Sequence, residues 1–147
     1  MLRRVPKFWT LALVLVGIVF IIVSMVRVQK ARYEQRRQAG MREVITNAQP
    51  VIAAIRAYEK QHNKPPETLE ALHKPLPQPG PMAKKGWEYS VFDRLWILKI
   101  AVNKEYTPNN GFLTFGDTFV YRSDGQYERE AYGGILERFG EWGYYWE

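Results

Sequence analysis

From Phe8 to Val26 the chain carries no ionisable residue, and Lys7 and Arg27 close the run on either side. These nineteen residues, wound as a helix, rise about 28 Å, close to the roughly 30 Å hydrocarbon thickness of a bilayer. Only a conformation that satisfies its own backbone hydrogen bonds suits such a stretch in lipid, so the run predicts a membrane-spanning helix. The charge distribution supports this. Before Gly40 there are eight Lys or Arg against the single acid Glu34, and from Met41 onward thirteen bases face fourteen acids. The net charge of +6 therefore belongs to the flanks of the apolar run, and the rest of the chain is close to neutral. A basic protein often signals nucleic acid, but no basic patch survives beyond the flanks, and nucleic-acid binding is not expected.

Arg3, Arg4 and Lys7 resemble the n-region of a signal peptide. However, an h-region spans about 7–15 residues, and this run exceeds that and lacks an Ala-x-Ala-like site near Val26. The expectation is an uncleaved anchor over residues 1–26, a basic juxtamembrane helix over 27–40 and a soluble domain over 41–147. The chain has no cysteine, which excludes a lipidated cysteine and thiol chemistry. Basic residues flank both ends of the span, so the positive-inside rule gives a tie and does not assign a side.

After the span the pattern becomes periodic. Met41, Val44, Ile45, Ala48, Val51, Ile52, Ile55 and Tyr58 recur at three- and four-residue steps, the signature of one apolar stripe on a helix. Pro50 removes the hydrogen bond to the Thr46 carbonyl, but the stripe keeps phase across it, which favours one kinked helix over two. Asn63 is the expected stop, since Asn tolerates the left-handed conformation and Pro65-Pro66 cannot continue the helix. A proline-rich connection follows, with a short helical island at Glu67–Leu72 whose Leu69 and Leu72 are spaced to dock.

From Gly86 the chain reads as strands. Trp87, Tyr89 and Val91 alternate with polar residues, Asp93-Arg94 marks a turn, and Leu95 to Val102 is almost continuously apolar. A run from Phe112 to Phe115, a turn at Gly116-Asp117 and a strand over Thr118–Tyr121 come next. Asp124-Gly125 signals a two-residue turn into Gln126-Tyr127. The tail from Glu141 to Trp146 is expected to form an edge strand. A helix followed by an antiparallel meander gives an α+β fold: a long N-terminal transmembrane-plus-amphipathic helix packed on a small antiparallel β-sheet.

From Ala57-Tyr58 the chain resembles the type IV pilin and pseudopilin superfamily. The resemblance is carried by Ala57-Tyr58, by His62-Asn63, by Pro66-Glu67-Thr68-Leu69-Glu70-Ala71-Leu72 and by the strand-like Gly86-Trp87-Glu88-Tyr89-Ser90. It implies an apolar N-terminal helix running into an amphipathic one on an antiparallel sheet, and an extracytoplasmic domain at a bacterial inner membrane. The prepilin cleavage motif is missing. With Phe8 taken as the first mature residue, Lys7 stands in place of the Gly and Ala12 in place of the Glu; with Trp9, Phe8 and Leu13 stand there. The resemblance thus implies a membrane-retained member and not a subunit of an extended pilus.

No catalytic constellation stands out, and the expectation is a non-enzymatic protein without cofactor or metal. His62 and His73 flank the proline-rich connection without a zinc-ligand spacing. Asp117, Asp124, Glu128 and Glu130 cluster near hairpin turns, where turn chemistry accounts for aspartate and a calcium site resembling that of some pseudopilins is the alternative. Gly133-Gly134 lacks the setting of a phosphate loop. Two surfaces are expected to make contacts: Arg32, Arg36 and Arg37 with anionic lipid headgroups, and Trp142, Tyr144, Tyr145 and Trp146 with a protein partner, either a second copy or a pilus or secretion subunit. On strand alternation, Trp142, Tyr144 and Trp146 face one side and Tyr145 the other, free one. Two functions follow: an assembly or accessory component of a pilus or type II secretion-like apparatus, and a membrane-tethered module binding an extracytoplasmic ligand or protein.

Overall fold

The computed structural model describes residues 7–107 and 116–146, with side chains from residue 14 onward. The expected run from Phe112 to Phe115 lies outside the described residues. Helix α1 spans Lys7–His62 and passes through Pro50 as one element, as the unbroken phase of the apolar stripe requires. It ends where Asn63 turns left-handed at φ 55°, just before the prolines. By its internal contacts the chain divides into Met1–Gln35 and Arg36–Glu147.

In the unit Met1–Gln35, the apolar side chains of α1 from Val14 to Val28 are largely exposed. Neither buried cluster among the described residues includes them.

The unit Arg36–Glu147 packs the remainder of α1 on a six-stranded antiparallel sheet. The strands are β1 (Glu88–Phe92), β2 (Leu95–Ala101), β3 (Thr118–Arg122), β4 (Glu130–Ala131), β5 (Gly134–Phe139) and β6 (Trp142–Trp146). Their spatial order is β1-β2-β3-β6-β5-β4. The helix stripe reads as the periodicity demands: Met41, Val44, Ala48, Val51, Ile52 and Ile55 are buried against Trp96, Leu98, Ile100, Phe119, Tyr121, Trp142 and Tyr144. Burying an aliphatic side chain of this size contributes about 1.5–3 kcal/mol. Leu69 and Leu72, on a single 3₁₀ turn, dock on the same cluster. Gly40, within the helix, lets Tyr106 and Met82 approach closely; a Cβ there would stand 2.9 Å from the Tyr106 ring and 3.2 Å from Met82.

Several turns are as expected. Asp93 takes a positive φ of 57° in the two-residue turn between β1 and β2, which pairs Phe92 with Leu95. Gly125 (φ 65°) closes the turn after β3 by donating its N–H to the Arg122 carbonyl at 3.1 Å.

Two strand expectations are corrected. Gln126-Tyr127 forms no strand. The Tyr127 hydroxyl instead donates to the Glu141 carbonyl at 2.6 Å and accepts the Arg122 N–H at 3.0 Å, which holds the segment across the sheet. The C-terminal strand is also not an edge. β6 is paired on both sides, to β3 and to β5, because residues 130–139 return as a hairpin around Tyr132 and Gly133, both at positive φ, and shield it.

The segment from Tyr127 to Tyr132 covers the face of the sheet away from α1. A second, smaller cluster forms there from Ile97, Val120 and Tyr145 against Tyr127, Ala131, Tyr132 and Leu136. Burial raises the pKa of three phenols: Tyr89, where the Glu59 carboxylate adds to the effect, Tyr145, and Tyr127, pushed up to about 12. An unfolded tyrosine ionises near pH 10. The unfolded chain thus releases its phenolic protons first, so the stability these groups confer is complete below about pH 10 and is lost as pH rises toward the folded values. We expect the last part of the phenolate absorbance to appear above pH 10 together with loss of the near-ultraviolet dichroism. Full ionisation near pH 10 with the fold intact would contradict this.

Candidate functional site

The anchor half of α1 is the one helix among the described residues long and apolar enough to cross a membrane. Phe20 is 72% exposed and Ile22 55%, an apolar surface far too continuous for water and suited to acyl chains. Arg27, Lys30 and Arg32 follow it on the same helix, all exposed.

The three arginines expected at headgroups do not share one environment. Arg32 and Arg36 are exposed. Arg37 is taken up inside the domain: its side chain is 11% exposed, and its guanidinium grips Glu137 on β5 with two bonds of 2.9 and 3.1 Å. It also stands 5.0 Å from the Tyr144 ring centroid, a cation–π distance. The Tyr144 hydroxyl donates to the buried Asp117 carboxylate. Helix, β5, β6 and the start of β3 are thereby tied together by charge-assisted contacts. Sequence reading missed this clamp, since residues 37 and 137 carry no local signal of each other.

Among the aromatics of β6, Trp142 is 2% exposed, Tyr144 0%, Tyr145 2% and Trp146 38%. Trp142 and Tyr144 face α1, as alternation requires. Tyr145 does face the opposite side, but that side is covered: its ring meets Tyr132 edge-on at 5.0 Å, and its hydroxyl donates to the Glu128 carbonyl at 2.9 Å. The free face and free edge on which a Tyr145 contact rested are both absent. Trp146 keeps an exposed surface beside Ile135, its register partner on β5.

The histidines and acids are also dispersed. His62 stacks on Tyr58 at 3.9 Å and contacts its carbonyl through Nδ1, while His73 follows the 3₁₀ turn at φ 50°. Asp117 and Asp124 lie at opposite ends of β3. Asp124 accepts two bonds from Arg122 and one from the Gln126 N–H, which is turn chemistry, and the Arg122 guanidinium holds its carboxyl below the usual range. Among the described residues no three His, Asp or Glu side chains gather as metal ligands would.

One cleft, unforeseen in the sequence, draws together residues far apart in the chain. About 360 Å³ in volume, it is lined by Arg56 and Glu59 of α1, Arg94, Leu95 and Trp96 at the β1–β2 hairpin, and Ser123 and Asp124 after β3. Arg56 donates to the Tyr121 hydroxyl at 2.6 Å. The Ser123 hydroxyl accepts the Trp96 backbone N–H at 3.0 Å. The Trp96 indole N–H, in a residue only 1% exposed, has no acceptor among the described residues.

Comparison with protein-family models, with curated proteins and with solved structures finds no match.

Proposed function

We propose that the chain is a non-enzymatic, membrane-anchored, pilin-like component with an extracytoplasmic domain, serving in assembly or as an accessory of a pilus or type II secretion-like system. The observation that carries this reading is the division of labour along α1. Its N-terminal part offers a lipid-compatible surface, and its C-terminal part is the spine against which an antiparallel sheet packs. That architecture agrees with the resemblance at Ala57-Tyr58 and Pro66–Leu72, and the missing cleavage motif fits a component held in the bilayer. The cleft beside Trp96 favours, as a second reading, a tethered module that binds an extracytoplasmic ligand or protein.

The test is topology combined with capture. A fusion of alkaline phosphatase after Glu147 in a bacterial host should be active, while a fluorescent protein that matures only in the cytoplasm should stay dark at the same position. Cross-linking and detergent extraction should then recover membrane-embedded secretion or pilus subunits. A dark phosphatase and a bright fluorescent fusion would overturn the compartment and, with it, the pilin-like reading.

A further inference from the structure

We infer that the cleft between α1 and the β1–β2 hairpin is a carboxylate-binding site that receives an acidic side chain from a partner protein. The inference rests on the protein-binding side of the function proposed above and names the chemistry of that contact.

The charge of the cleft is unbalanced. Asp124 is neutralised by Arg122 through two bonds of 3.1 and 2.9 Å, which leaves Arg56 and Arg94 against Glu59 alone among the lining residues. Arg56 and Glu59 lie one helical turn apart, yet no ion pair joins them among the described residues, and Arg94 has neither a hydrogen bond nor an ion pair there. Only one of the Arg56 donors is used, on the Tyr121 hydroxyl. A guanidinium presents five donors in a fixed fork matched to a carboxylate. The Ser123 hydroxyl, already accepting from Trp96, still has its proton to donate.

The buried Trp96 indole N–H is an independent observation. Buried donors almost always find an acceptor, and one left unmet costs the full desolvation of the group. Its residue forms part of the wall of this cleft. Arg94 is exposed at the hairpin turn and can reorient as an acceptor oxygen enters.

The excess of one positive charge fits a monoanion. A dianionic phosphate would gain from the two arginines and lose against Glu59, whereas one carboxylate balances the site. Leu95 supplies an apolar wall for the methylenes of a Glu or Asp side chain. The cleft opens at the surface, so a side chain carried on another protein reaches it without any part of the sheet separating.

The experiment is a titration of the ¹⁵N-labelled full chain, in micelles of an uncharged detergent, with the peptide acetyl-Ala-Glu-Ala-amide, which carries a single carboxylate. The Trp96 indole resonance is assigned by Trp96→Phe. The expected result is a saturable downfield shift of that resonance, with shifts at the Arg94 and Ser123 amides. The neutral peptide acetyl-Ala-Gln-Ala-amide should leave all three in place, and inorganic phosphate should compete only weakly. Arg56→Gln with Arg94→Gln should weaken binding by about ten-fold or more. Arg94→Gln alone, which removes no contact of the fold, should weaken it in the same direction. Equal binding of the neutral peptide, shifts scattered away from the cleft, phosphate binding in place of the peptide, or undiminished affinity in Arg94→Gln would each overturn the assignment. None of these outcomes changes the topology readout, so the two readings fail separately.

Discussion

Replacing Trp142 by alanine is expected to destabilise residues 36–147 by about 3–5 kcal/mol, the range for deleting a buried indole. Trp142 is 2% exposed. Its ring stacks on Phe119 at 4.8 Å and meets Tyr121 at 5.4 Å. Its backbone is paired on both sides, with Tyr121 of β3 and Phe139 of β5. These neighbours belong to a hydrogen-bonded sheet and cannot collapse into the space left behind, so the cavity term adds to the lost transfer energy. In scanning calorimetry of the full chain in detergent, the midpoint should fall on the order of 10–20 °C. Trp146→Ala is the internal control. Trp146 is 38% exposed at the end of the same strand, and its loss should cost only about 1 kcal/mol. Similar midpoints for the two variants would show that β6 is not the interior strand described here.

The helix and its partners were legible because their determinants are local. The stripe from Met41 to Ile55 repeats at the helical period, and its phase across Pro50 is readable without any tertiary knowledge. Asn63 and Asp93 take the positive φ that their short polar side chains tolerate. The β4–β5 hairpin escaped the same reading. Residues 134–139 are mostly exposed or half-buried, so they carry no strong apolar alternation, and their pairing with β6 is a register decision made by contacts distant in sequence. The cleft was illegible for a similar reason, since Arg56, Arg94 and Ser123 come from three segments that only the finished fold brings together. Arg37 shows the limit of charge reading: its place beside the span suggested lipid, and only the position of Glu137 reveals its use within the domain.

Tyr145 supplies the sharpest test of what alternation does and does not tell. Alternation correctly places it opposite Trp142 and Tyr144, but it is silent on whether that face is covered. An exposed Tyr145 would tolerate alanine with little change in midpoint. With Tyr145 buried against Tyr132 and bonded to the Glu128 carbonyl, Tyr145→Ala should cost about 3–4 kcal/mol. The conservative Tyr145→Phe keeps the ring and leaves the Glu128 carbonyl without this donor, a loss of about 1 kcal/mol. Gly143 makes the site still less forgiving. A Cβ at Gly143 would stand 2.6 Å from the Tyr127 ring, so the segment over this face lies directly on the β6 backbone. Denaturant unfolding of the three proteins should therefore rank wild type above Tyr145→Phe and that above Tyr145→Ala, with the larger step at the loss of the ring. A Tyr145→Ala protein as stable as wild type would mean that the segment from Tyr127 to Tyr132 does not seal the sheet, and would return Tyr145 to the surface as a candidate contact.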